Sequence, residues 1–312
     1  MNTVSAPGKM LLGGEYAVLF GAEAVVTSVN RRAHARWLPK GPRESSVIVR
    51  EVLRAARDPL SKRNIALSDA AWVSVQSSGF KIGKLKLGLG SSAAVAAGAT
   101  GAIFEAHGLP IRDHQTEILQ TSLAGHRAAQ DGKGSGADVA AAVMGGTILY
   151  RMNEPPRRVS VRGIHIGVVF SGRSVSTQQM IEKIDIFKER EPNVYRAVMD
   201  ELILCAGSMS QAFRADKPRE IIESARAYGE SMERLGRAAG VGIVAKEHRC
   251  AMTLAEEIGG AAKPSGAGGG DIAVAFFDSE AALHEFQIQC LRHELTPLDI
   301  TADAEGLRVE PQ

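Results

Sequence analysis

The sequence predicts an α+β protein organised as two domains, on three observations. Strand-like and helix-like stretches mix without the regular strand–helix–strand alternation of a doubly wound sheet. The 312 residues exceed the roughly 100–200 of one ordinary domain. Between two strand-like stretches, Asn153-Glu154-Pro155-Pro156 combines turn formers with two prolines, which makes it the linker candidate.

The elements follow from local pattern. Thr3 to Leu12 reads as a strand that enters a turn at Gly13-Gly14. Val25 to Trp37 reads as another, with period-two alternation at its end through Arg32, His34 and Arg36. Val49, Val52, Leu53 and Ala56 recur at helical spacing, so residues 45–57 form a helix. Residues 71–88 suit a strand or hairpin, residues 91–107 a helix of small side chains packed closely by its neighbours, and residues 112–129 a further helix. A short helix stops at Gly145-Gly146 before the strand Thr147–Arg151. Beyond the linker come strands near 158–170, a helical run from about 175 to 258 and a glycine-rich turn at 265–270. The strand Ile272–Phe277, a helix over 279–293 and a short tail complete the chain.

Composition narrows the function classes. Apolar residues make up 45% and charged residues 23%, ordinary for a globular protein. Net charge is +2, from 37 basic and 35 acidic side chains, which argues against a surface dominated by nucleic-acid binding. Cys205, Cys250 and Cys290 are odd in number, widely spaced and without a CxxC pair, so reduced thiols in a cytoplasmic protein are expected rather than a disulfide framework or zinc site. No basic-plus-apolar leader opens the chain, and no stretch approaches the roughly 18 apolar residues of a membrane span. Eight histidines show no HExxH spacing, which speaks against a metallohydrolase.

Glycine is in excess: 33 residues where an average of about 7% would give roughly 22. The excess clusters in three segments. The first runs from Ser5-Ala6-Pro7-Gly8-Lys9 to Gly13-Gly14-Glu15-Tyr16, the second is Gly88-Leu89-Gly90-Ser91-Ser92-Ala93-Ala94, and the third is Lys263-Pro264-Ser265-Gly266-Ala267-Gly268-Gly269-Gly270-Asp271. In the second, the glycines let successive N–H groups face one concavity, Ser91 or Ser92 can cap the following helix, and that helix N-terminus suits a phosphate. A serine hydroxyl there can also reach a phosphate-bound magnesium ion. It is not a Walker A loop, since GxxxxGK[ST] is absent. Taken singly, the second segment is equally an ordinary capped helix, the third a flexible hairpin, and Lys9 a solvated lysine. Together they suggest loops converging on one polyanionic ligand.

The order of these three motifs resembles the signature of the GHMP kinases, the galactokinase, homoserine kinase, mevalonate kinase and phosphomevalonate kinase group, and spans residues 5 to 271. The resemblance implies a nucleotide-binding N-terminal α+β domain over 1–155 and a ferredoxin-like C-terminal domain over 156–312. It implies ATP and Mg2+ as cofactors, with Gly88, Leu89, Gly90, Ser91, Ser92 and Ala93 cradling the ATP phosphates and Ser92 helping to hold the metal. It implies that Asp138, within Gly134-Ser135-Gly136-Ala137-Asp138-Val139, is the catalytic base, and that Lys9 lies beside it and the transferring phosphate. Phosphoryl transfer is mostly positioning plus neutralisation of oxygens, which suits those residue types.

Within the family, Gly14-Glu15-Tyr16, His126 with Gln130, the stretch Phe170 to Thr177, and the third motif resemble the phosphomevalonate kinase branch. That branch implies ATP-dependent conversion of phosphomevalonate to diphosphomevalonate, with Tyr16, His126, Lys133, Ser135, Arg173, Ser265, Gly266, Ala267 and Gly268 contacting the substrate. Lys84 and Lys86 are further cations near the motifs. The expected partner is a small molecule, without nucleic acid or membrane, in a monomer or homodimer. A mevalonate kinase or other small-alcohol kinase is the nearest alternative. Arg127 departs from its pattern by standing where a magnesium-binding glutamate is usual. A decarboxylase of the same fold lacks the motif-one lysine, and retention of Lys9 and Asp138 speaks against an inactive relative.

Overall fold

The computed structural model describes residues 2–41 and 46–311. In chain order it contains β1 (Thr3–Gly13), β2 (Ala24–Leu38), α1 (Val47–Ser61), β3 (Trp72–Gln76), β4 (Lys81–Ile82), β5 (Leu85–Lys86), α2 (Ser91–Ala106), α3 (Gln115–Ala128), α4 (Ala137–Met144), β6 (Thr147–Tyr150) and β7 (Arg157–Val159). Then follow β8 (His165–Phe170), α5 (Thr177–Arg190), α6 (Pro192–Arg214), α7 (Pro218–Ala239), α8 (Lys246–Glu257), β9 (Ala261–Ser265), β10 (Ile272–Phe277), α9 (Glu280–Arg292), β11 (Thr296–Pro297) and β12 (Arg308–Val309). The helix expected from residue 45 begins at Val47; residue 45 itself lies outside the described residues.

The first sheet has the order β12-β1-β2-β6-β7, with β3 also paired to β2. α2 and α4 lie against β1 and β2, and α1 and α3 pack around α2. Small residues make that layer possible: a Cβ at Gly101 would stand 3.1 Å from Val4 Cγ1 of β1 and 2.7 Å from Leu307 Cδ2 beside it, so the glycine lets α2 pack close to the sheet. From Ala93 to Phe104, α2 is buried apart from Val95.

The second sheet has the order β11-β8-β10-β9, all antiparallel. Read as β8, the helices α5–α8, β9, β10, α9 and β11, this is the split arrangement of a ferredoxin-like domain, as expected. The helical run over 175–258 is four helices. Pro192 and Pro218 open α6 and α7 in their first turns, and Gly240 closes α7 in the left-handed conformation. β9 carries Lys263 and Pro264 in a fully buried strand; as the sheet's outer strand it tolerates the proline. Among the described residues no helix is long and apolar enough to cross a membrane.

The boundary expected at 155 falls in the turn of the β6–β7 hairpin, so both its sides belong to the first sheet. The C-terminal tail returns there too: β12 pairs with β1, and Asp303 and Ser28 are joined through their backbones. Arg32 clasps this tail. Its guanidinium meets Asp303 at 2.5 Å and donates to the Gly306 carbonyl at 2.6 Å and to Ser5 Oγ at 2.8 Å. Arg32→Met should lower unfolding free energy by about 1.5–3 kcal/mol, the worth of hydrogen bonds to a charged group. Urea denaturation measures it, and an unchanged midpoint would mean that the tail is held without Arg32.

Candidate active site

A cleft of about 680 Å³ collects all three glycine motifs. Motif one brings β1 to its floor. Lys9 is buried, and its backbone N–H donates to the Leu89 carbonyl at 2.9 Å, tying the strand to the loop that precedes α2. Gly8 permits this approach, since a Cβ there would lie 2.6 Å from Leu89 O. The Lys9 stem crosses Gly90, and its ammonium donates to the Gly88 carbonyl at 3.4 Å.

Gly88 and Gly90 have φ of 73° and 72°, the left-handed region that favours glycine. The expected serine cap on α2 is not what forms. Gly90 itself holds the N-cap position with no side-chain cap, and Ser91 and Ser92 are the first helical residues. The serines are thereby turned to other uses, and the first-turn N–H groups are left facing the cleft. Ser92 Oγ pairs with His126 Nε2 at 3.0 Å, and the Gln130 amide approaches the same nitrogen at 3.3 Å.

Asp138 lies in the first turn of α4, which likewise starts from a left-handed glycine, Gly136, without a side-chain cap. Ser135, on the same loop, is held by the Tyr150 hydroxyl, which donates to its carbonyl at 2.7 Å. Lys9 and Asp138 line the same cleft, but among the described residues no ion pair joins them.

Motif three closes the cleft against motif one. Lys263 and Glu15 form an ion pair with both side chains essentially excluded from solvent. Lys263 also donates to the Pro264 carbonyl at 2.8 Å, and Gly266 N–H to Glu15 Oε1 at 3.4 Å. Around them Tyr228 donates to the Glu15 carbonyl at 2.7 Å, Tyr16 to the Ala267 carbonyl at 2.5 Å, and Leu11 N–H to Ser265 Oγ at 2.9 Å. Burial pushes the Lys263 ammonium below the ordinary lysine value, and Glu15 opposes the shift. Burial, then Glu15, pushes the Tyr16 phenol far above the ordinary tyrosine value. Tyr16 also has a positive φ of 59°, strained for a tyrosine and held by these contacts.

Of the residues named from sequence, the cleft gathers Lys9, Tyr16, Gly88, Leu89, Gly90, Ser91, Ser92, His126, Lys133, Ser135, Asp138, Ser265, Gly266 and Ala267. Three do not line it. Ala93 is buried inside α2. Gly268 packs under motif three, where a Cβ would lie 2.3 Å from Ile243 O. Arg173 points instead to Glu247 in the first turn of α8 and pairs with it. His126 reaches the cleft by holding Ser92. Sequence reading missed the pairing of Glu15 with Lys263, whose signal was a lysine set between alanines and a proline in a strand. It also missed the wall from Ser174 to Gln178 and the placement of Asp271.

Comparison with known proteins agrees with the motifs. Residues 51–146 match the family model for the GHMP kinases N terminal domain. The chain is 27% identical to a phosphomevalonate kinase of Saccharolobus solfataricus over 99% of both chains. It is 28% identical to a mevalonate kinase of Archaeoglobus fulgidus over 98% of this chain and 99% of that one. Its fold matches that of Streptococcus pneumoniae phosphomevalonate kinase in complex with phosphomevalonate and AMPPNP with a TM-score of 0.83 at 17% identity, covering 97% of this chain and 100% of that chain.

Two expectations follow from the geometry. A valine at Gly90 would combine a left-handed backbone with a Cβ 2.9 Å from Lys9 Cγ, so Gly90→Val should weaken AMPPNP binding by calorimetry in a protein that still unfolds cooperatively; wild-type affinity would detach this loop from phosphate binding. Lys263→Met should cost about 3–5 kcal/mol by leaving Glu15 charged and unpaired, and adding Glu15→Gln should recover most of it. Chemical denaturation reads both, and a double variant no more stable than the single would mean that the pair is not coupled.

Proposed function

The chain belongs to the GHMP kinase family, and from that premise we propose that it transfers the terminal phosphoryl group of ATP to phosphomevalonate, forming diphosphomevalonate in the mevalonate route to isoprenoids. The observation that carries this reading is the cation content of the cleft: Lys9, Lys84, Lys86 and Lys133 all line it. Joining a phosphoryl group to an existing phosphate brings two anions together, so positive charge is needed on both sides of the new bond. A neutral hydroxyl acceptor requires it only around ATP. Lys133 sits on the loop that leads to Asp138, and Lys84 and Lys86 sit on the β4–β5 hairpin. Lys133 pairs with Glu182 at 3.1 Å, but both are well exposed, and such a pair is worth only about 0–1 kcal/mol. Lys133 can therefore exchange that partner for a substrate phosphate.

In this reading the N–H groups of Gly88 to Ser92 hold the ATP phosphates and Lys9 neutralises them. An oxygen of the acceptor phosphate bonds to the γ-phosphorus while the bond from that phosphorus to the β–γ bridging oxygen breaks. ADP departs with the electron pair, and the proton of an acceptor monoanion passes to Asp138. The donors present suit magnesium that arrives with the nucleotide. Among the described residues no group of three His, Cys, Asp or Glu could hold a metal alone, and magnesium is commonly bound by few protein oxygens plus phosphates. Ser92 would hold it, its hydroxyl proton given to His126 and its lone pairs left for the cation. Magnesium, when bound, neutralises the β- and γ-phosphate oxygens.

Similarity to a mevalonate kinase over nearly the whole chain makes mevalonate the second reading. A coupled assay of ADP release with phosphomevalonate, mevalonate and galactose in parallel separates them. Phosphomevalonate should be turned over fastest. Lys133→Gln should raise its KM about ten- to a hundredfold, the worth of a charge-assisted hydrogen bond, with little change in the KM for ATP. Asp138→Asn should lower kcat by about 10²–10⁴. Turnover of mevalonate alone would overturn the acceptor assignment and leave the kinase standing.

A further inference from the structure

Asp271 ends the third glycine motif, and no step above uses it. It is a non-glycine residue with φ of 57°, fixed on both backbone sides: its N–H donates to the Arg173 carbonyl and its carbonyl accepts from Ser171 N–H, each at 2.9 Å. Its side chain points into the cleft. Oδ1 accepts from Val175 N–H at 3.3 Å. The other oxygen lies against the phosphate loop, since a Cβ at Gly88 would stand 2.7 Å from Oδ2. The Gly88 carbonyl in turn accepts from the Lys9 ammonium. Asp271 and Lys9 thus occupy two sides of one glycine.

We propose that Asp271 is a positioning residue that seats the Gly88 end of the phosphate loop against the Ser174–Val175 turn and orients the Lys9 ammonium over that loop. The proposal rests on the reading that Gly88 to Ser92 hold the ATP phosphates. Among the described residues Lys9 forms an ion pair with neither Asp138 nor Asp271; the link between Lys9 and the third motif runs through Gly88, whose carbonyl takes the Lys9 ammonium and whose α-carbon lies against the Asp271 carboxylate. Burial pushes the Asp271 carboxyl upward, and the Val175 N–H and the charges of Lys9 and Lys86 act against that shift. A residue needed only for its left-handed backbone would be served as well by asparagine or glycine. The side-chain contacts therefore separate the two explanations.

That separation sets the test. Asp271→Asn keeps the backbone preference and an oxygen for Val175 N–H but removes the charge facing Lys9. Asp271→Gly keeps the backbone and removes both. Both suit φ above zero, and thermal unfolding checks that each variant folds. AMPPNP affinity is measured by calorimetry, and kcat and KM with the acceptor panel above. The asparagine variant should bind AMPPNP like wild type with kcat lowered about tenfold or more, the cost of a misplaced catalytic group. The glycine variant should lose AMPPNP affinity as well. Wild-type kcat in the asparagine variant, or wild-type AMPPNP affinity in the glycine variant, would overturn the proposal while leaving an active kinase. A wild-type protein that neither binds AMPPNP nor releases ADP with any acceptor would instead overturn the kinase reading, and this proposal with it.

Discussion

The buried ion pair between Glu15 and Lys263 is the constraint on which the cleft depends. It joins residues 248 apart in the chain, one in the turn just past β1 and one in the outer strand of the second sheet. Burying two charges costs about as much as their attraction returns, so the pair adds little net stability. Its effect is on arrangement: sliding the strands by one residue would leave two charges buried without partners. The neighbouring bonds from Tyr228, Tyr16, Leu11 and Gly266 share that register. The strained backbone of Tyr16 is tolerable because the surrounding contacts leave it no alternative.

With the two sheets so registered, α2 and α4 both direct their N-termini at the cleft. Each begins from a left-handed glycine, Gly90 or Gly136, with no side chain capping it. A serine or aspartate at an N-cap is worth only roughly a few tenths of a kcal/mol more than glycine, and its side chain would occupy first-turn N–H groups that here stay open. The glycines forgo a small local gain in helix stability and leave both ends uncapped. Ser92, freed from capping, is held by His126 instead.

Legibility in the sequence followed the range of the interactions. β1, β2, α2 and β10 were readable because their pattern is local: alternation, a run of small residues, or an apolar stretch bounded by glycines. β9 was not, since Lys263 and Pro264 look like loop residues until Glu15 and the sheet's outer position account for them. β12 was not, since two residues owe their strand conformation to β1. The cleft was legible as three glycine clusters, each declaring a backbone that something approaches closely. Which side chains face it was less so. Arg173 is turned away by Glu247, and Gly268 serves packing against Ile243; both partners lie far along the chain and leave no mark beside the motif.

The balance of charge in the cleft follows from these placements. Glu15 lines it, but its charge is matched by Lys263 beneath. Asp271 lines the same cleft as Lys9 and Lys86, whose charges oppose the upward shift that burial gives its carboxyl. Asp138 stands beside the uncapped end of α4, whose dipole favours a negative group there. Each carboxylate therefore has a positive counterpart within the fold, whereas Lys84 has no ion-pair partner among the described residues and Lys133 has only an exposed one. The N-terminus of α2 and two weakly committed lysines leave positive potential that the protein's own groups do not cancel. Such a cleft suits an anionic ligand. A phosphate on the acceptor would supply such charge, which is the electrostatic form of the acceptor proposed above.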